Sequence, residues 1–229
     1  MNAGWIDDQI AINVVLDRPR EPVERIAASC DAFVRSFASR VGQTDWVVID
    51  GPAWVGPPTV LTEIVRARPS TAATGDPDPE DGYGYTLYAK RGATTLAVGV
   101  SVGGPLIGRR LPQLCVRGRI TNPRGIPVDA TLADALLEAL VEGWEPLFAS
   151  MTTGDINRAA GRGRWRTPAG YRVRLRDGTV SLTWLAAGVS ARSFAGGTLI
   201  AVPDTWPPDL VAQRLEETYE RNGADEVPH

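Results

Sequence analysis

The sequence predicts an α+β fold, with one or more antiparallel sheets covered by about four helices. Three observations carry that prediction. Apolar residues alternate at period two in several short stretches, and they recur at three- and four-residue steps in longer ones. The strand-like stretches also come in runs, three in the middle and three near the end, where a parallel sheet would need a helix after each strand.

The elements follow in order. Ile10, Ile12, Val14 and Leu16 fall on one face of a first strand, broken by Arg18-Pro19-Arg20-Glu21-Pro22. Val23, Ile26, Ala27, Cys30, Phe33, Val34, Phe37 and Val41 make one side of a helix, which Gly42 stops. Trp46 to Ile49 is a short strand. Gly56-Pro57-Pro58 opens a second helix with Val60, Leu61, Ile64 and Val65 inward, proline being tolerated where a first-turn N–H has no partner. Residues 69–82 read as a loop. Tyr83–Lys90, Thr94–Val102 and Gln113–Ile120 are strands.

Thr131–Phe148 is a helix with Thr131 as its N-cap, followed by a polar, Gly- and Arg-rich stretch from Thr152 to Pro168. Asp177-Gly178 predicts a hairpin between Tyr171–Leu175 and Thr179–Leu185, because both turn positions tolerate positive φ. Thr198–Val202 is a last strand, and Pro207-Pro208-Asp209 opens a last helix to about Arg221. The 229 residues suit a single domain over 1–229, divisible into halves 1–150 and 165–229 around the Gly/Arg-rich segment.

Composition removes several classes of chemistry. The one histidine is His229 and the one lysine is Lys90, against 23 arginines. No Ser-His-Asp triad and no zinc site with internal His ligands can be built, and a phosphate loop lacks its Gly-Lys-Ser/Thr. The net charge of −3 disfavours nucleic acid as a partner. The first eight residues are acidic and carry no apolar core of a secretory signal, and the weakly polar run Thr94–Ile107 is too short to span a bilayer. Cys30 and Cys115 read as reduced, as expected in a cytoplasmic protein. No membrane partner and no cofactor are expected.

Four charge features remain. Asp76, Asp78, Glu80 and Asp81 superficially resemble a calcium loop, but the glycine position falls on Asp81 and the twelfth position on Leu87. Asp7 with Asp8, and Asp50 with Glu63, are carboxylate pairs that would serve acid–base work, although spacing singles out neither pair. Arg158 to Arg176 holds seven arginines and no acid. That stripe is read as the wet face of a hairpin, or alternatively as a protein-partner surface or a nucleic-acid surface. The stretch Asp204–Glu226 holds seven acids against two arginines and is placed to fold back on it. Trp46 and Trp54 bracket a Gly-Pro loop, where they would serve either as exposed anchors or as packing over a core edge.

The ordered landmarks resemble the bacterial immunity protein 52 family. They are Gly84-Tyr85-Thr86-Leu87-Tyr88, then Leu96-Ala97-Val98-Gly99-Val100-Ser101-Val102-Gly103-Gly104, Leu111-Pro112, the helix Leu136 to Pro146, Thr183-Trp184-Leu185 and Gly196-Gly197-Thr198-Leu199-Ile200. Two positions depart from the family pattern. Glu145 stands where Asp is expected in Trp-Asp-Pro, and Ser181-Leu182 stand where Gly-Trp is expected.

The resemblance implies a non-enzymatic cytoplasmic protein that binds and neutralises a cognate toxin encoded nearby, a nuclease, by occluding its active site. The toxin-binding candidates are Asp76, Asp78, Glu80, Asp81, Glu216, Glu217, Glu220, Trp46 and Trp54. An acidic patch would imitate phosphates and speed association with a basic toxin.

Overall fold

The centre of the sheet is its first strand. In the computed structural model, which describes residues 8–71, 76–105, 114–161, 166–224 and 226, β1 (Gln9–Val15) pairs antiparallel with β6 (Cys115–Thr121) on one side and β7 (Phe148–Thr152) on the other. Outward from β6 lie β5 (Thr94–Val102), β4 (Pro77–Arg91) and β2 (Val47–Val48), with the short β3 (Pro69–Thr71) also on β4. Outward from β7 lie β8 (Arg172–Arg176), β10 (Gly197–Ala201) and β9 (Ser190–Ser193). All ten strands belong to one antiparallel sheet, so the α+β class holds.

Ile10, Ile12 and Val14 are buried on one face, opposite Ile120, Gly118 and Val116. That face is covered by α1 (Val23–Val41) and α3 (Ala130–Trp144), which pack on each other, with α2 (Pro58–Arg66) against α1. Gly118 lets α3 come down onto the sheet: a Cβ there would lie 3.0 Å from Leu140 Cδ1 and 3.3 Å from Ile12 Cβ. At the β7–β8–β10 end the other face is buried too, because Val173, Leu175 and Ile200 project away from α3 and are still inaccessible. α4 (Gly154–Ala160) packs on α5 (Pro208–Asn222) in this half. Among the described residues no helix is long and apolar enough to cross a membrane.

Several expectations are corrected. Inside the stretch read as polar and Gly/Arg-rich stands α4, capped by Thr153, whose hydroxyl accepts from the Ile156 N–H, which makes five helices among the described residues. α3 is capped by Asp129, which accepts from the Thr131 N–H, and it ends at Trp144. Phe148 starts a separate strand. Part of the 69–82 loop is a ribbon: β3 pairs with the start of β4 through a register shift, and residues 72–75 lie outside the described set. Pro77 and Pro79 are tolerated there because edge positions need not donate to a ladder.

The Asp177-Gly178 turn forms, with Thr179 N–H donating to the Arg176 carbonyl, but Thr179–Leu185 does not return along β8. β10 occupies that side of β8. Asn222 substitutes for a ladder partner of the departing segment. Its Oδ1 accepts from the N–H groups of Thr183 (2.8 Å) and Trp184 (3.1 Å), and its Nδ2 donates to the Trp184 carbonyl (2.7 Å).

Candidate functional site

The β2–α2–β3 edge is held from inside and apolar outside. Trp46 is buried, edge-on to Phe33 and Phe37 at 5.3 and 5.7 Å, and Trp54 stacks on Tyr85 at 5.9 Å. Neither tryptophan is an exposed anchor, because each fills the space between the edge and the layer beneath it. They close a tight turn in which Trp54 N–H donates to the Trp46 carbonyl and Val48 N–H to the Pro52 carbonyl.

With the tryptophans inward, the residues between and after them face out. Val47 is 38% exposed, Ile49 49%, Val55 71% and Val60 44%. Val60 was expected inside, but α2 buries only Leu61, Ile64 and Val65. Among the described residues the only other exposed large aliphatic is Ile126. Val55, Val60, Pro52, Ala53, Ile64 and Arg68 line an open cleft of about 680 Å³. Its rim is polar: Arg66 bridges Glu63 and Glu24, and Arg68 donates to the Asp50 carbonyl. Clustered exposed apolar side chains with a polar rim mark protein-contact surfaces.

The acidic ribbon lies along the same sheet edge, since β2 and β3 both pair with the side of β4 away from β5. Asp76, Glu80 and Asp81 are exposed and Asp78 is half-buried, its carboxylate accepting from the Glu80 N–H at 2.8 Å. No cation pairs these four among the described residues. The structure therefore puts Asp76–Asp81 and the 46–60 corner on one sheet edge, the corner beside Leu87 and Tyr88 and the acids further along β4 beside β3. It does not add the helical acids. Glu216, Glu217 and Glu220 lie on α5 in the other half of the sheet, where Glu217 pairs with Arg214 and Arg221 and the other two are exposed.

The β8 part of the basic stripe turns inward, which corrects its reading as a wet hairpin face. Pairing puts Arg172 and Arg174 beside Met151 and Ala149, on the α3 side of the sheet. Arg172 bridges Asp134 of α3 (2.9 Å) and Asp204 (2.8 Å). Arg174, 2% exposed, donates to the carbonyls of Pro146 (2.5 Å), Ala195 (2.6 Å) and Gly196 (2.9 Å). Arg176 forks onto Asp17 at 2.7 and 3.0 Å, and Arg158 pairs with Asp155. Arg162 and Arg164 lie outside the described residues. Of the acidic C-terminal stretch, Asp204 pairs with Arg172, and Glu226 meets Arg166 in an antiparallel backbone bridge.

These contacts shift titration in opposite senses. Burial would raise the Asp17 carboxyl, but the Arg176 fork outweighs it and holds it below the usual range. Burial raises the Asp134 carboxyl above that range, with Asp204 and Glu138 adding to the effect, because one Arg172 is shared between two carboxylates. Of the other candidate carboxylates, two have local partners and, among the described residues, Asp50 engages Arg68 through its backbone carbonyl only. Asp8 accepts from the Gly125 N–H and Glu63 pairs with Arg66, while Asp7 is outside the described residues. Among the described residues no three His, Cys, Asp or Glu side chains converge to hold a metal ion. Cys30 and Cys115 are both free thiols, and burial pushes the Cys30 thiol far up.

No protein-family model and no curated protein matches the chain. Among solved structures it is similar to a T6SS protein of Pseudomonas aeruginosa, with a TM-score of 0.42 and 9% identity, over 84% of this chain and 67% of that one.

Proposed function

We propose that the chain is an immunity-type protein that binds a cognate toxin through the β2–α2–β3 edge. The observation that carries this reading is the juxtaposition on one sheet edge. Val47, Ile49, Val55 and Val60 are exposed over an anchored base, and four carboxylates that no cation pairs among the described residues lie on the ribbon along the same edge. Apolar side chains supply the area that leaves water, and carboxylates steer a basic partner and set its orientation. A nuclease active site, basic because it binds phosphates, is the toxin surface such an edge suits, and neutralisation follows from occlusion. The family landmarks noted in the sequence support the same reading. The commitment of Arg172, Arg174 and Arg176 to partners from other elements takes the β8 arginines away from the nucleic-acid alternative.

Co-expression with the product of the adjacent gene tests the proposal. The expected result is a stable complex and relief of that product's toxicity, lost in the Val55→Asp/Val60→Asp variant. A neighbour that is harmless when expressed alone, or that ignores this chain, overturns it.

A further inference from the structure

The second face of β4–β5–β6–β1, away from α1 and α3, carries its own signal. Strand pairing lays its residues out in rows: Lys90, Thr95, Thr121 and Gln9; Tyr88, Ala97, Arg119 and Ala11; Thr86, Gly99, Arg117 and Asn13; Gly84, Ser101, Cys115 and Val15. With strands about 4.8 Å apart and successive same-face residues about 6.8 Å apart, the face measures roughly 15 by 20 Å.

None of these positions is acidic. Lys90, Arg117 and Arg119 are exposed, and none of the three makes an ion pair among the described residues. Asp8, next to Gln9 at the end of the first row, accepts from the Gly125 N–H, and the acids of β4, Asp78 to Asp81, lie beyond Gly84 at the far end of that strand. In a chain of net charge −3 this is a local excess of three cations. The floor is built of small side chains. Gly84, Thr86, Gly99, Cys115 and Arg117 outline a shallow depression of about 330 Å³. The same face ends abruptly at β7, where Ser150 and Thr152 are buried, so it abuts a wall formed by the second half of the molecule.

We infer that this open sheet face is a docking surface for an acidic helical segment of a partner protein. Charge complementarity selects the acid: carboxylates one helical turn apart meet Arg117 and Arg119, which stand two residues apart on β6. The shape suits a helix, which is about 10–12 Å across with its side chains and rests on a floor of glycine and alanine beside a wall. A single nucleic-acid strand fits less well. It needs aromatic platforms for its bases, and Tyr88 is the one aromatic on the face and is half-buried. This surface is distinct from the acidic edge and of opposite sign, so the chain carries two poles rather than one.

The test is an NMR titration of the ¹⁵N-labelled full chain with three probes. They are a helix-stabilised 14-residue Ala/Leu peptide bearing Glu at i and i+4 spacing, the same peptide with Lys replacing Glu, and a 15-nucleotide oligothymidine. The Glu peptide is expected to shift amides within 97–101 and 115–121, and to bind about tenfold more weakly in Arg117→Glu/Arg119→Glu, a difference of about 1.4 kcal/mol. The milder Arg117→Ser/Arg119→Ser variant, with an unchanged melting curve, serves if charge reversal disturbs folding. Equal shifts from the Lys peptide, tighter binding of the oligonucleotide, shifts that survive both variants, or no shift at millimolar Glu peptide would each overturn the inference.

Discussion

Gly143→Ala sets two opposing effects against each other in one residue. In an exposed helix interior, replacing Gly by Ala stabilises by about 1 kcal/mol, because glycine gives up more backbone freedom on folding. At Gly143 the new Cβ would lie 2.7 Å from Phe33 N, 2.8 Å from Phe33 Cβ and 2.8 Å from the Ser29 carbonyl oxygen. Two of those atoms are α1 backbone, so no rotamer change relieves the clash, and α1 and α3 must move apart. Forcing extra carbon into a packed core costs about 1–3 kcal/mol, occasionally more. Separation also loosens Phe33, which packs on Phe37 and Trp46. Three contacts under 3.0 Å put the cost in the upper part of that range, about 2–3 kcal/mol, so the clash wins and the net loss is about 1–2 kcal/mol. With a urea dependence of about 2–3 kcal/mol/M, the midpoint falls by about 0.5 M. Urea unfolding followed by tryptophan fluorescence measures it. Gly154→Ala is the control, since a Cβ there meets nothing within 4 Å, and it should stay within about 0.5 kcal/mol of the parent. A Gly143→Ala protein as stable as the parent would refute the close-approach argument.

Three further outcomes are expected. Arg174→Met removes the donor to three carbonyls in a dry site and should cost about 3–5 kcal/mol by thermal unfolding; a loss under about 1 kcal/mol would show that those carbonyls find other partners. Val55→Asp/Val60→Asp should leave stability within about 0.5 kcal/mol while abolishing complex formation with the proposed partner, the adjacent gene's product, measured by calorimetry; an unfolded variant would make the patch part of the core. Acid titration should separate Asp17 from Asp134. The lowered Asp17 carboxyl stabilises above its unfolded range near 4, and that contribution is lost as pH falls through its folded value, so Asp17→Asn costs more at pH 7 than at pH 3. The raised Asp134 carboxyl contributes fully below its unfolded range and less as pH rises through its folded value, so Asp134→Asn costs more at pH 3; matching pH profiles for the two variants would contradict this.

Where one face of an element is wet, the periodicity was readable. β1, β5, α1 and α5 all show an alternation or a stripe, and all four stand where the sequence puts them. β7 shows neither, because all five of its residues are buried between β1 and β8, and a strand without a wet face has no period to read. α4 is seven residues with Ile156 alone buried, too short to carry a stripe. The Thr179–Leu185 error has a different source. The turn signal at Asp177-Gly178 was sound, but a side chain from α5 satisfied the backbone that a hairpin partner would have used. The departure at Glu145 is also backbone chemistry. This residue caps α3 in the left-handed region at φ 44°, a conformation Asp and Asn enter more easily than Glu. Its carboxylate is held there by Arg18 and Arg25.

Charge on a chain is countable, but pairing is not, and the candidate surfaces turn on pairing. Seven arginines between 158 and 176 looked like a surface because they are dense in sequence. Strand parity then turned Arg172 and Arg174 toward α3, and Asp134, Asp17 and Asp204 met the stripe from three distant segments. Arg117 and Arg119, separated only by Gly118, looked like ordinary alternation. They become a row with no ion pair among the described residues because β5 and β1 flank them with no acid in register. The edge patch follows the same logic. In Trp46-Val47-Val48-Ile49 every residue is apolar, so sequence cannot say which alternate pair faces out. The aromatic pocket of Phe33 and Phe37 decides it by taking the larger side chain, and Val47 and Ile49 are left in water by parity. A surface made by exclusion from a core in this way is one that a partner can cover without the fold having to change.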